Sequence, residues 1–390
     1  MRSYLDLVEE KYLNSIGWDP EDSYSQFALN SNNVLDFNIP SHFKMHASSQ
    51  TTDRTFTDHT LASSSLLTGS VSYLFSTIPF KCNPSSSIPL NCLTQCYKPV
   101  YKTAKDLKSP FASMIFGRMH FPGQQLEAMY IQGLGQISAI TRWVVDPRLE
   151  TPLILTSTIQ SRSNKWSREF IYSTHENLFG LRALANLCSW EEKNTESRLV
   201  SGFEVFYASK KKSPGLSAGI KYQTQYRLNR DWPRISPGNH DASSSSPDEL
   251  SGTGESDTVS SVTSSAIPLT LSLVTNPLMG SISVAYSLQP TPLLALATRF
   301  DYNLYSYLSD LTLGCELWRT TPISLSSEIS DDKRDGPISV FKVSTSLASQ
   351  TAQILWEGSV HDFIVSVGLK FCYSDSSAPA QTGIEITYSV

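Results

Sequence analysis

The sequence predicts an all-β chain that closes into a transmembrane antiparallel β-barrel, with a short helix at its N-terminus. Three observations carry that reading. The first is alternation. Leu269, Leu271 and Leu273 are separated by Thr270 and Ser272, and Ile282, Val284, Tyr286 and Leu288 by Ser283, Ala285 and Ser287. Leu294, Leu296, Thr298, Phe300 and Tyr302 share one face, and Phe363, Val365, Val367, Leu369, Phe371 and Tyr373 make the longest such row. A period of two puts successive side chains on opposite faces of a strand, so each strand has one apolar and one polar or small face. Alternation alone suits a soluble sandwich as well as a membrane barrel. The second observation separates them. Asp, Glu, Lys and Arg make up only 17% of the 390 residues, against about 25% in an ordinary soluble domain. Third, residues 258–298 carry no charge, yet Ser, Thr, Pro and Asn interrupt them every few positions. A spanning helix needs roughly 20 mostly apolar residues in a row, so this uncharged region must cross as strands.

Taken in order, residues 3–16 have helical spacing, with Leu5, Val8, Tyr12 and Ile16 recurring at three- and four-residue steps. This predicts an amphipathic helical segment, 1–20, packed on or inside a single barrel formed by residues 21–390. Its polar face is acidic, unlike that of a membrane-surface anchor. Candidate strands follow at 34–47, 66–77, 112–119, 125–133, 136–145, 151–160, 165–174, 178–187, 199–209 and 215–228. A later set lies at 266–276, 280–288, 293–302, 307–318, 337–347, 351–358, 361–373 and 381–389. These are eighteen strands, most near the 9–11 residues that cross a bilayer at a tilt.

Turn signals separate them, among them Phe121-Pro122-Gly123, Lys212-Ser213-Pro214-Gly215, Asn276-Pro277 and Gln289-Pro290. Three connections are long. Residues 78–111 form a basic loop with Lys98, Lys102, Lys105 and Lys108 beside Tyr97 and Tyr101. It suits either contact with anionic membrane lipids or simple solvation. Residues 231–265 are rich in Ser, Gly, Pro and Asp and read as disordered. Their six acids against Arg234 give −5, the net charge of the whole chain. The remainder is therefore neutral and has no general pull on nucleic acid. Residues 319–336 form a shorter acidic loop.

Signs of chemistry are weak. Gly215-Leu216-Ser217-Ala218-Gly219 has the spacing of a nucleophile elbow, but that turn needs a helix after it. Here Ile220, Tyr222, Thr224 and Tyr226 continue as a strand face. His42 and His46 are four apart with no third ligand nearby, and Cys82, Cys92 and Cys96 lack the spacings of zinc sites. The expectation is a chain that is not an enzyme, with no metal and no cofactor. Met1–Trp18 has no apolar secretory core, since Asp6, Glu9 and Glu10 interrupt it, and it lacks the Arg-rich character of a matrix presequence. A barrel with neither signal points to a mitochondrial or plastid outer membrane.

The C-terminus carries a sharper pattern. Gln381-x-Gly383-x-x-Ile386-x-Tyr388 looks like the sorting signal by which mitochondrial barrel precursors engage their assembly machinery. A final edge strand is recognised by pairing, and a Gly lets another backbone approach closely. The plainer reading is a last strand with a Gly in it.

Several stretches together identify a family. They are Tyr4 and Trp18, Val34-Leu35-Asp36-Phe37-Asn38-Ile39-Pro40, Gly69-Ser70-Val71-Ser72-Tyr73-Leu74-Phe75 and Gly117-Arg118-Met119. To these add Leu126-Glu127-Ala128-Met129, Phe300-Asp301-Tyr302-Asn303-Leu304-Tyr305-Ser306, Gly314-Cys315-Glu316-Leu317-Trp318 and Leu355-Trp356-Glu357-Gly358. On these residues the chain resembles the fungal mitochondrial distribution and morphology proteins of the β-barrel kind, number ten in their series. The insert between Trp318 and Ile338 is shorter here than in that family.

The resemblance implies a 19-strand barrel of mitochondrial porin type, one strand more than the eighteen counted. An odd number closes only if the first and last strands run parallel. It also implies a non-catalytic subunit of the ER–mitochondria encounter structure in the mitochondrial outer membrane, at ER contact sites. Its implied partners there are lipid-transfer-domain subunits, one of them anchored in the ER. A second implied role is docking on the sorting and assembly machinery, for late assembly of outer-membrane barrels and of import translocase subunits. Phospholipid exchange and mitochondrial shape and inheritance follow from these contacts. Within the matching stretches, Tyr73, Phe75, Phe300 and Tyr302 place aromatics near strand ends, as partner anchors or as a lipid girdle. The competing function for the same fold is a diffusion pore or translocase-type channel.

Overall fold

The structure, a computed structural model, describes residues 8–10, 12–13, 16, 18, 22–63, 66–79, 90–98, 111–148, 152–163, 165–192, 195–228, 265–320, 337–374 and 380–389. Nineteen strands form one closed sheet. The first six are β1 (His42–Thr52), β2 (Thr55–Ser63), β3 (Leu67–Ser76), β4 (Ser113–Phe121), β5 (Leu126–Leu134) and β6 (Ile137–Val145). Then come β7 (Leu153–Arg162), β8 (Trp166–Ser173), β9 (Leu178–Glu192), β10 (Thr195–Ala208), β11 (Ser213–Leu228) and β12 (Ser265–Asn276). The wall is completed by β13 (Ser281–Thr291), β14 (Leu294–Asn303), β15 (Ser309–Thr320), β16 (Pro337–Ser346), β17 (Thr351–Val360), β18 (Phe363–Cys372) and β19 (Gln381–Ser389). Each strand is antiparallel to the next in sequence. The exception is the seam, where β1 and β19 run parallel from His42↔Gly383 to Ser48↔Ser389. With an odd number of strands, up-and-down order leaves both ends of the series pointing the same way.

The strand the sequence reading lacks is β2, and its side chains explain why. Its outward positions Thr55, Thr57, His59 and Leu61 carry one large apolar residue, while Phe56 turns inward and is buried. Without an apolar face, the period of two has nothing to mark. A second correction concerns 34–47. Leu35, Phe37 and Ile39 alternate with Asp36 and Asn38, which mimics a strand. Leu29–Leu35 instead form a helix, α1, and β1 begins only at His42. A shorter helix, α2, spans Leu90–Leu93. Gln289-Pro290 lies near the end of β13 rather than in a turn.

The wall is inverted relative to a soluble protein. Ser70, Ser72, Thr270, Ser272, Ser287, Thr312, Ser344, Ser366 and Thr387 are buried on the inner face. Val71, Tyr73, Leu271, Leu273, Tyr286, Leu313 and Val367 are exposed on the outer face. An exposed apolar area of this extent is uncommon on water-soluble monomers and marks a surface that meets lipid or protein. The two rims differ as well. β3, β11 and β15 end at one rim, where β4, β12 and β16 begin, so the longest connections open there. The opposite rim carries tight turns such as 122–125, 209–212 and 347–350, together with the start of β1. Residues 231–264, most of 78–111 and 321–336 lie outside the described residues, as does most of the 1–20 segment.

Candidate functional site

The described part of the N-terminal forty residues lies inside the barrel. Val8–Glu10 and Tyr12–Leu13 are helical, and Val8, Tyr12, Ile16 and Trp18 pack with Leu90, Leu93 and Cys96 against inward Phe56, Leu74, Met114, Ile131 and Trp318. Farther round the lumen, Tyr24 and Phe27 meet Leu184 and Val200. Val34 and Leu35 of α1 meet Tyr97, Ala295 and Ala297, and Phe37 and Ile39 meet Leu355. Helical spacing in this segment thus serves an internal contact. The inward position 314 is a Gly because a Cβ there would lie 2.8 Å from the Leu35 side chain.

Ion pairs fasten this interior chain to the wall and to the connection between β3 and β4. Glu9 lies 3.6 Å from Arg142, Asp22 3.0 Å from Arg162, and Glu10 2.5 Å from Lys98. Arg299 grips both oxygens of Asp36 and also holds Asp301 at 3.0 Å. The most deeply buried pair joins two neighbouring wall strands, Glu316 of β15 and Lys342 of β16, 3.5 Å apart and both fully buried. Trp318 Nε1 donates to Glu316 (2.6 Å) and the Tyr97 amide donates to the same carboxylate (3.4 Å). Lys342 Nζ donates to the Gln95 carbonyl, and Asn33 Nδ2 donates to the Cys96 carbonyl (2.9 Å). A buried pair holds its place only when further hydrogen bonds satisfy both groups, which this one has. On the interior chain itself, burial pushes the Tyr12 phenol well above its ordinary range, with the nearby Tyr130 adding to it. Burial likewise raises Tyr24, whose hydroxyl shares a 2.7 Å hydrogen bond with Ser217.

The residues singled out from sequence fall in separate places. Asp310, Thr312, Gly314, Glu316 and Trp318 alternate along β15 on its lumen face, with Thr312, Glu316 and Trp318 buried. Tyr97 and Lys98 of the basic loop are not free in solvent: Tyr97 is buried and Lys98 pairs with Glu10. Lys102, Lys105, Lys108 and Tyr101 lie outside the described residues, as does Cys82. Tyr73 and Phe75 point outward at the long-connection rim, with Tyr73 51% exposed. Phe300, 44% exposed, and Tyr302 point outward at the opposite rim, with rings stacked at 6.5 Å. In the ring of strands β3 and β14 are eight apart one way and eleven the other, so the two aromatic pairs form no common patch.

Gln381, Gly383, Ile386 and Tyr388 all lie on β19 at the seam. Gly383 faces inward, where a Cβ would run into the Pro40 carbonyl, and Gln381 Nε2 donates to the Ile39 carbonyl (3.4 Å). The N-terminal chain enters the lumen across this Gly. His46 Nε2 lies 2.7 Å from Glu385, across the seam. Gly215–Gly219 sits within β11, and no helix follows Ser217. Missed by sequence reasoning were the Glu316–Lys342 pair and the Asp36–Arg299 clamp. A lone charge in an alternating row was their only signal.

Comparison with known proteins follows the whole chain. The family described as Mitochondrial distribution and morphology protein 10 matches residues 1–338 and 332–390. A relative of that name from Yarrowia lipolytica is 29% identical over 406 aligned residues, covering 100% of both chains. One from Meyerozyma guilliermondii is 29% identical over 99% of this chain and 97% of the relative. One from Candida albicans is 30% identical over 82% of this chain and 64% of the relative.

Proposed function

The chain belongs to the Mitochondrial distribution and morphology protein 10 family, and from that premise we propose that it is a non-catalytic barrel of the mitochondrial outer membrane that tethers and assembles. Membership supports a role in mitochondrial distribution and morphology. In our reading the apolar outer wall meets lipid, and the barrel serves as the outer-membrane subunit of the ER–mitochondria tether. It binds lipid-transfer-domain subunits, including one held in the ER, and so supports phospholipid exchange, organelle shape and inheritance. It also docks on the sorting and assembly machinery and assists late assembly of barrels and of the import translocase. Tyr73 and Phe75 at one rim, and Phe300 and Tyr302 at the other, supply two separate contact sites, one for each kind of partner.

One observation favours this reading over a diffusion pore. The lumen holds the described part of the protein's own N-terminal chain, fastened by Lys342, Arg299, Arg162 and Arg142. A lumen occupied in this way leaves the wall and the rims as the working surfaces. The test is purification of the tagged chain from its own mitochondria in mild detergent, with identification of what accompanies it. Recovery of an ER-anchored lipid-transfer-domain protein, with or without the barrel-assembly machinery, is expected. Recovery of the chain alone from intact contact sites would overturn the proposal.

A further inference from the structure

Part of the wall rises above its neighbours. β8 spans 8 residues, whereas β9, β10 and β11 span 15, 14 and 16. β9 pairs with β8 only from Leu178 to Ala185; the Asn186 amide then donates to the Lys165 carbonyl (2.9 Å) and the ladder stops. On its other side β9 stays paired with β10 as far as Glu192, opposite Thr195. A bulge at Leu187, with Asn186 facing Val200 and Cys188 facing Leu199, marks where this edge leaves the wall. Leu187–Glu192 therefore have one paired side and, among the described residues, one open side at the long-connection rim. At about 3.3 Å per residue the open edge is roughly 20 Å long.

The two edges of the raised flap are treated differently. On the far side, Ser265–Pro268 of β12 have no β13 partner, and Pro268 has no N–H to offer. That edge is guarded against pairing. The β9 edge has no proline, and it exposes Leu187 (53%) and Trp190 (52%) with Cys188 and Ser189 between them. Unpaired main-chain groups are not tolerated in hydrocarbon, so this edge stands in water, outside any apolar layer that the wall meets. An open strand edge is completed by another strand. The sequence of the edge runs on into two consecutive acids, Glu191 and Glu192, and opposite charges are favoured across a strand pair.

We propose that Leu187–Glu192 is a docking edge for an extended, basic polypeptide segment of another protein, which adds to β9 as a further strand. The inference goes beyond the tethering function and does not depend on it, since it rests on the strand edge alone. The full-length barrel in a neutral detergent is titrated with a fluorescein-labelled ten-residue peptide of alternating valine and lysine, reading anisotropy. Saturable binding is expected, at least tenfold weaker for the valine–glutamate peptide and for a barrel carrying Leu187→Lys with Trp190→Lys. A second variant, Glu191→Lys with Glu192→Lys, is expected to reverse the preference between the two peptides. Circular dichroism checks that each variant retains its sheet, and if one does not, the other decides. Absence of binding, equal binding of both peptides, or binding indifferent to the substitutions overturns the proposal. So does a two-chain mass in light scattering that Leu187→Lys with Trp190→Lys abolishes, since the occupant is then a second copy.

Discussion

The outer and inner faces of the same strands are held by different physics. On β12, Leu271 and Leu273 face out while Thr270 and Ser272 face in and are buried. Outside, each apolar side chain meets its surroundings almost independently of the next, so position along the membrane normal decides the cost of a change. Inside, the charged groups answer to particular partners: Glu316 to Lys342, Trp318 and the Tyr97 amide, Asp36 to Arg299. The difference teaches that the outer face tolerates exchange of one apolar residue for another, whereas the charged pairs of the lumen tolerate only changes made together.

The largest expected effect comes from dividing the lumen pair. Lys342→Ala leaves the fully buried Glu316 carboxylate uncompensated, which costs about 3–5 kcal/mol, while Glu316→Met with Lys342→Leu together is expected to be nearly neutral or stabilising. Urea unfolding of the barrel in detergent measures both. If the single and double changes cost the same, the inner face has no partner specificity. Next comes the outer face. Leu271→Arg, at mid-wall, is expected to cost about 2–4 kcal/mol in a bilayer, and Leu271→Ile little. An Arg accepted there in vesicles without loss would mean that this face is not turned to lipid.

At the seam, Gly383→Ala places a Cβ against the Pro40 carbonyl and is expected to cost roughly 1–3 kcal/mol through overpacking. Purified chain refolded without any assembly factor isolates that packing role from sorting. Unchanged stability there, with failed import in vivo, would leave only the sorting role. The smallest effect is alkaline. Tyr24 has its folded pKa raised above the ordinary tyrosine value by burial, so the folded state keeps its proton longer. Its contribution is complete below pH 10 and is lost as pH rises through that value toward the folded pKa. Tyr24→Phe is expected to remove this part of the alkaline loss of stability, which a pH series of melting curves reads directly.

How much of this was legible follows from which face carries the signal. β12 to β19 were readable because each outward row carries several aliphatic or aromatic residues with only isolated breaks such as Thr298. β2 was not, because Thr55, Thr57 and His59 fill its outward positions and Phe56 points in. Leu35, Phe37 and Ile39 misled in the opposite sense, since a chain lying in the lumen also alternates between wall and open space. Tyr73 and Phe75 lie toward the end of β3 and Phe300 and Tyr302 toward the end of β14, and the eleven steps between these strands put the two pairs at opposite rims. The inner contacts join residues far apart in sequence, Asp36 with Arg299, Glu316 with Lys342 and Lys342 with Gln95, and no local pattern announces them.

The central claim is that the protein's own N-terminal chain occupies the lumen while the wall meets lipid. Planar-bilayer recording of the purified, unmodified barrel tests it most directly. The account requires a membrane-inserted protein with no large, stable open state. A long-lived open channel from the intact chain would contradict it and return the function to a diffusion pore.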